Sequence, residues 1–280
     1  RGTLVYLHGI ADNRASAVGI INRFSRRGFD VIAYDSRAHG ESSGAACTYG
    51  FYEKQDLRRV VDTIDSGPVV LMGTSLGAAV ALQEAAEDAR VSAVVAAETF
   101  SDLRTVAIER APFFFTPNVI RRAFQLAEAE GRFTIDAVSP EAAARKIEAP
   151  VLIIHGSIDR DTPPDHSRRV FDALHGPRQL ILVPDAGHLL HMPSHLEVLC
   201  GDYRRVVADN SAAIAADEKI RARAGAMNFY TLYRSHNYHF KIYGAMFLGQ
   251  SQVALETAAQ LEASIPEELL RVESPPMADW

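Results

Sequence analysis

Six short runs of consecutive apolar, mostly β-branched residues constrain this 280-residue chain more than any other feature. They are Thr3 to Leu7, Asp30 to Tyr34, Pro68 to Met72, Val91 to Ala96, Val151 to Ile154 and Gln179 to Val183. A strand with one wet face alternates apolar and polar residues; these runs do not, so each must be buried on both faces, as in a parallel sheet covered by helices. Amphipathic stretches at Ala15 to Arg27, Glu53 to Asp65, Leu76 to Asp88 and Asp165 to Leu174 supply those helices. Strand, helix and strand in repetition imply right-handed crossovers and a doubly wound, mostly parallel α/β sheet.

One connection departs from the rhythm. Between Ala97 and Val151 lie Ala111-Pro112-Phe113-Phe114-Phe115-Thr116-Pro117, a helical pattern from Asn118 to Glu130, and Ser139-Pro140 opening a helix to Ile147. So long a connection inside a compact domain is usually functional. It reads as a helical lid over about residues 101–147, above the carboxyl ends of the strands, where open α/β sheets bind ligands. Phe113, Phe114 and Phe115 are candidates to line a substrate mouth, although packing the lid onto the body would demand the same apolar surface.

The chemistry centres on Gly73-Thr74-Ser75-Leu76-Gly77, directly after one strand run and directly before an Ala-rich helix. A serine exposed on so sharp a strand-to-helix turn needs small residues two before and two after it. Its hydroxyl attacks only with a base to take the proton and an acid to orient that base. In the order serine, acid, histidine, each after a successive strand, Asp159 follows the run at Val151 and His188 follows the run at Gln179. Asp161 is the rival acid, His191 and His195 are rival bases, and Asp185 reads as a turn residue. Oxyanion donors are expected from the N–H of Leu76, which follows the nucleophile, and from that of Ile10 in the loop after the first strand; His8 reads as structural.

These pieces together resemble the α/β-hydrolase superfamily over residues 1 to about 188, and within it the esterase and serine-aminopeptidase-like members with a compact lid. The resemblance is carried by Leu7-His8-Gly9, by Asp35-Ser36-Arg37-Ala38-His39-Gly40-Glu41-Ser42, by the turn at Ser75, by His155-Gly156 leading to Asp159 and Pro163, and by Gly187-His188. Ala38 stands where the family's turn has glycine, and that turn is structural in such proteins. The resemblance implies a serine hydrolase that cleaves an ester or amide bond of a small molecule without metal or cofactor. Strands that usually precede the first one here are missing, and the chain opens Arg1-Gly2-Thr3 with neither Met nor a leader, so an upstream segment is expected.

Past about Leu190 the β-rich runs stop and Ala-rich helical patterns take over, broken at Gly201 and Gly249 and closed by Pro266, Pro275 and Pro276. The expected organisation is a hydrolase domain over 1–190 and an all-α segment over 191–280. That segment resembles a tetratricopeptide-type helical repeat, with Tyr203, Ala254 and Pro266 as matching pieces, and so implies docking of a protein partner. The alternative reading follows: an inactive hydrolase fold whose helical part binds that partner. His191 and His195 stand at the i, i+4 spacing of a zinc helix, but its glutamate is lacking and Pro193 starts the helix inside the run, so no metal is expected; His236 and His239 read as packed or surface residues. With 29 Lys+Arg against 35 Asp+Glu and no basic block, a nucleic-acid footprint is not expected. No apolar run reaches the ~18 residues of a membrane span. Cys47 and Cys200 read as free thiols in a reducing compartment, with the cytoplasm expected.

Overall fold

The structure is a computed structural model and describes residues 2–112, 114–159, 161–183, 194–224 and 230–265. The six runs form the strands β1 (Thr3–Leu7), β2 (Asp30–Ala33), β3 (Val69–Thr74), β4 (Val91–Ala97), β5 (Val151–Gly156) and β6 (Arg178–Val183) of one sheet, in the order β2-β1-β3-β4-β5-β6. Pairing is parallel from β2 through β5. The chain steps from β1 outward to β2, then returns past β1 to β3 and continues the other way. The reversal leaves a crevice at the carboxyl ends of β1 and β3, the topological switch point where ligands bind in such sheets. Register sets Leu7 of β1 and Ala96 of β4 level with Gly73 of β3, so the three strands end together.

Helices α1 (Val18–Ser25), α2 (Glu53–Val61) and α3 (Leu76–Ala85) occupy the first crossovers. Every residue of α3 from Leu76 to Glu84 is buried. A helix apolar all round belongs inside, and its small Ala78, Ala79 and Ala81 let it lie close to the sheet. The main core joins Leu76 and Leu82 to Val5, Leu7, Leu71 and Ile153 of the strands.

The insertion between β4 and β5 folds as α4 (Leu103–Glu109), α5 (Pro117–Gly131) and α6 (Pro140–Ala144). Each begins on a side chain that accepts a backbone N–H: Asp102 from Thr105, Thr116 from Val119, and Ser139 from Ala142. Proline opens α5 and α6, where its missing N–H costs nothing. The helix expected to reach Ile147 stops at Ala144, and Ile147 turns into the core. A second apolar cluster of Phe100, Leu103, Val106, Phe133, Ile135 and Val138 packs against Ala79 of α3, whereas α5 contains no buried residue. Helix α7 (Asp165–Ala173) then joins β5 to β6.

The chain divides into two compact units, Arg1–His155 with Thr162–Leu182, and Gly156–Asp161 with Val183–Trp280. In the second, the described elements are α8 (Ser194–Cys200), α9 (Tyr203–Ala224), α10 (Tyr230–Phe247) and α11 (Ser251–Ser264), each packed on its successor. Gly201 and Gly249 form the breaks at φ +75° and +69°, a conformation that favours glycine. Polar groups occupy the helix interfaces. Asn237 Nδ2 donates to Asp217 Oδ2 at 2.6 Å, Arg234 to the Ser264 carbonyl at 2.6 Å, and Asn210 Nδ2 to Ser194 Oγ at 2.7 Å. Asp217 Oδ1 and Asn237 Oδ1 are buried without a hydrogen-bond partner. Burial pushes the Asp217 carboxyl up to about 7, against the bond from Asn237 and the charge of Arg234.

Candidate active site

Ser75 is the one residue between β3 and α3, at φ 51° and ψ −110°. Serine rarely adopts this left-handed backbone; here the surroundings fix it. Its N–H donates to the Ala97 carbonyl at 2.8 Å, and its own carbonyl accepts the first bond of α3, from Ala79, at 3.1 Å. The two flanking glycines explain the sharpness. A Cβ on Gly73 would stand 2.3 Å from the Gly77 backbone, and one on Gly77 would stand 2.2 Å from the Leu7 carbonyl oxygen. No other residue fits at either position without moving backbone. The N–H of Leu76 is the first of α3 and precedes the ladder, so it is directed out of the helix beside Ser75.

The loop after β1 comes to the same place: a Cβ on Gly9 would lie 3.8 Å from Ser75 Cβ. His8, fully buried, holds this loop. Its Nε2 accepts the Ser36 N–H at 2.9 Å, which leaves Nδ1–H to donate to the Gly9 carbonyl at 2.7 Å. Ile10 follows, half-buried against the core. The Asp35 to Ser42 turn is tied in parallel. Asp35 Oδ1 accepts the Arg14 N–H at 2.7 Å, and Oδ2 accepts the Arg14 guanidinium at 2.8 Å and the Glu41 N–H at 2.9 Å. Burial works to raise the Asp35 carboxyl, but these donors outweigh it and hold the group below the usual carboxylate range. Gly40, at φ +50°, backs onto that carboxylate, and a Cβ there would lie 2.4 Å from Asp35 Cγ. Gly40→Ala is accordingly expected to destabilise the fold by about 3 kcal/mol, through left-handed strain plus overpacking, read as a lower denaturant midpoint.

Asp159 lies in the loop that follows β5 and is buried. Its Oδ1 accepts the Asp161 N–H at 2.8 Å, and its own N–H donates to the Gly156 carbonyl at 3.4 Å. In the other unit, Thr162 is fixed from two sides. His155 Nε2–H donates to its carbonyl at 2.8 Å, with His155 Nδ1 against Ser167 Oγ at 2.6 Å, and Arg110 at the end of α4 donates to its hydroxyl at 2.7 Å. His166 makes a further link: Nε2–H donates to Glu109 at 2.8 Å, and Nδ1 faces the N–H of Ser101 at 3.2 Å and its hydroxyl at 2.7 Å. Serine, histidine and carboxylate thus stand in a row, but Ser101 is fully buried, and the row joins the insertion to α7.

The crevice thus brings together Ser75, Leu76 and the loop of Ile10. His188, His191 and Phe113 lie outside the described residues, as does Asp185. Phe114 and Phe115 are exposed and meet edge to face at 5.3 Å, so in the described part the insertion is packed instead by Phe100, Leu103 and Phe133. Sequence reasoning passed over Arg110, Glu109 and His166 as positioning groups; the only signal was a His two residues after Pro164 at the start of a helix. Cys47 and Cys200 are free, and burial pushes the Cys47 thiol up to about 12. An open cleft lined by Lys146, Glu148 and His175 lies at the amino ends of β5 and β6, the edge opposite Ser75.

Residues 2–128 match the family model described as the alpha/beta hydrolase fold. Among curated proteins, the uncharacterized protein YqkD of Bacillus subtilis is 29% identical over 209 residues, covering 67% of this chain and 65% of YqkD. The uncharacterized protein YfhR of Escherichia coli K12 is 28% identical over 196 residues, covering 67% of this chain and 63% of YfhR. The chain therefore spans less than two thirds of the length of either relative. Among solved structures, the Pyrococcus furiosus esterase Pf2001 aligns with a TM-score of 0.53 at 20% identity, over 72% of this chain and 81% of its own. At that identity the likeness is one of fold. The N-terminal part of the chain has the α/β-hydrolase fold.

Proposed function

We propose that this chain is a serine hydrolase of the α/β-hydrolase superfamily that cleaves an ester or amide bond of a small molecule. The observation that carries the reading is the backbone of Ser75, held at φ 51° between Gly73 and Gly77 at the switch point of the sheet. In this reading Ser75 Oγ attacks the carbonyl carbon while His188 takes its proton, and Asp159 orients the imidazole. The N–H groups of Leu76 and Ile10 receive the oxyanion, worth roughly 10² to 10³ in rate for each donor. Collapse expels the leaving group with the proton from His188, and water, activated by the same histidine, releases the acid. The insertion serves as the lid, with Phe113, Phe114 and Phe115 at the substrate mouth. The esterase fold of Pf2001 supports an ester as the bond cut. For 191–280 we propose a tetratricopeptide-type partner-docking module, supported by the packing of each helix on its successor. The free thiols support a reducing compartment, the cytoplasm.

A fluorophosphonate probe tests the chemistry directly. Labelling of the full chain, absent from Ser75→Ala, is the expected result; a folded parent that takes up no label overturns the proposal in favour of the non-catalytic binding protein.

A further inference from the structure

The turn from Asp35 to Ser42 reaches toward the nucleophile through the loop it holds. Between Gly9 and Asp12 no backbone N–H donates to an acceptor among the described residues, so this stretch after β1 has no ladder of its own. It nevertheless passes Ser75, with a Cβ on Gly9 3.8 Å from Ser75 Cβ, and it carries the Ile10 N–H. An oxyanion donor lowers a barrier only if it is in place before the charge develops. A loop without internal bonds must therefore be fixed from outside.

Two consecutive residues of the turn fix it at both ends. At one end the Ser36 N–H donates to His8 Nε2 at 2.9 Å, and the same ring donates from Nδ1 to the Gly9 carbonyl at 2.7 Å. At the other, Asp35 Oδ1 accepts the Arg14 N–H at 2.7 Å and Oδ2 accepts the Arg14 guanidinium at 2.8 Å. Asp35 is buried and the Arg14 side chain half-exposed, so the carboxylate is the anchored member of the pair. The turn closes around it: Oδ2 also accepts the Glu41 N–H at 2.9 Å, Ser42 Oγ donates to the Asp35 carbonyl at 2.7 Å, and the Arg14 guanidinium reaches on to the Glu41 carboxylate. Joining the strands does not require these bonds, since the pairing of β1 with β2 runs from Thr3 opposite Asp30 to Tyr6 opposite Ala33. Asp35 and Ser36 lie past the end of that ladder, and both reach across to the loop after β1.

We propose that Asp35 is a positioning residue for the reaction: together with the Ser36 N–H it pins both ends of the stretch from Gly9 to Asn13 and so holds the Ile10 N–H where the oxyanion forms. The proposal rests on the serine hydrolase reading and gives Asp35 no contact with the substrate. A donor of this kind is worth roughly 10² to 10³ in rate, and loosening it forfeits part of that factor.

The test is kcat per active site toward a p-nitrophenyl ester in the full chain, with sites counted by fluorophosphonate uptake. Asp35→Asn keeps an oxygen for the Arg14 N–H but turns an amide nitrogen toward the guanidinium and the Glu41 N–H. Arg14→Ala removes only the guanidinium; because that side chain is half-exposed, this variant carries the test should Asp35→Asn not fold. The expected result is a kcat at least about tenfold lower in Asp35→Asn and about threefold lower in Arg14→Ala, with KM within about twofold of the parent. Affinity for phenylboronic acid, whose tetrahedral adduct puts an oxygen at the oxyanion position, should fall by the same factors. Arg14→Lys, which keeps a donor for Asp35, should recover most of the loss. Fewer labelled sites at unchanged kcat per site, a loss confined to KM, or a rate within twofold of the parent in both variants would each overturn the proposal. A folded parent that takes up no fluorophosphonate overturns the hydrolase reading with it, so the two failures are told apart.

Discussion

Ser75→Ala is expected to reduce kcat toward an activated ester by on the order of 10⁵, with KM nearly unchanged. The substitution removes only Oγ. Alanine occupies the same left-handed backbone at the same cost, the N–H at position 75 still donates to the Ala97 carbonyl, and the glycine contacts on either side are untouched. Stability should therefore stay within about 0.5 kcal/mol of the parent, which separates chemical loss from structural loss. Residual rate above water would come from the oxyanion donors and from binding alone. Spectrophotometric turnover of a p-nitrophenyl ester, with thermal denaturation in parallel, reads both quantities. A variant that keeps activity within tenfold of the parent removes Ser75 from the mechanism.

The second large effect belongs to the helical unit. Asp217 titrates near 7 when folded against 3.8 as its ordinary value, because burial between helices penalises its charged form. Between these values the native state holds a proton that the unfolded chain has released. Stability from this group is thus fully present below about pH 4 and declines as pH rises toward 7, by about 4 kcal/mol in total. Asp217→Asn keeps the shape and cannot ionise, so denaturation followed by helical circular dichroism should show a flatter dependence between pH 4 and 7 and a more stable variant at pH 8. Glu197, also raised to about 7 by burial and by Asp209, slopes the same way, so the profile flattens without becoming level. Identical profiles for parent and variant would refute the assignment.

Much of the first unit was legible because its strands spell themselves as unbroken apolar runs, although burial on both faces holds throughout only for β1, and the edge strands β2 and β6 are partly exposed. The turn at Ser75 was legible for a related reason, since a Cβ at 73 or 77 would stand 2.3 or 2.2 Å from backbone atoms and only glycine fits there. The breaks at Gly201 and Gly249 were visible through the same left-handed requirement. Other features had no such signature. Asp217, Asn237 and Arg234 look like the solvated face of a helix, and only the packing of neighbouring helices buries them. Phe114 and Phe115 looked able to pack the insertion, yet both are exposed, and among the described residues Phe133, Ile135 and Val138, without any clear periodicity, take that place. Links such as Glu109 to His166, 57 residues apart, arise from the crossover and leave no local trace.

Among the described residues, four of the six non-glycine residues with positive φ, all but Tyr49 and Arg132, follow a pattern with its own consequence. Ala11, Ala38, Ser75 and Glu98 follow β1, β2, β3 and β4 in turn, each within five residues of the strand's end. Each such conformation costs about 1 kcal/mol or more, so the expense of folding is concentrated along one rim of the sheet, the rim with the nucleophile. An engineer seeking a hardier protein would start there, and would be working where stability and activity are exchanged for one another. Ala38, which joins no proposed chemistry, is the position on that rim where the exchange can be declined.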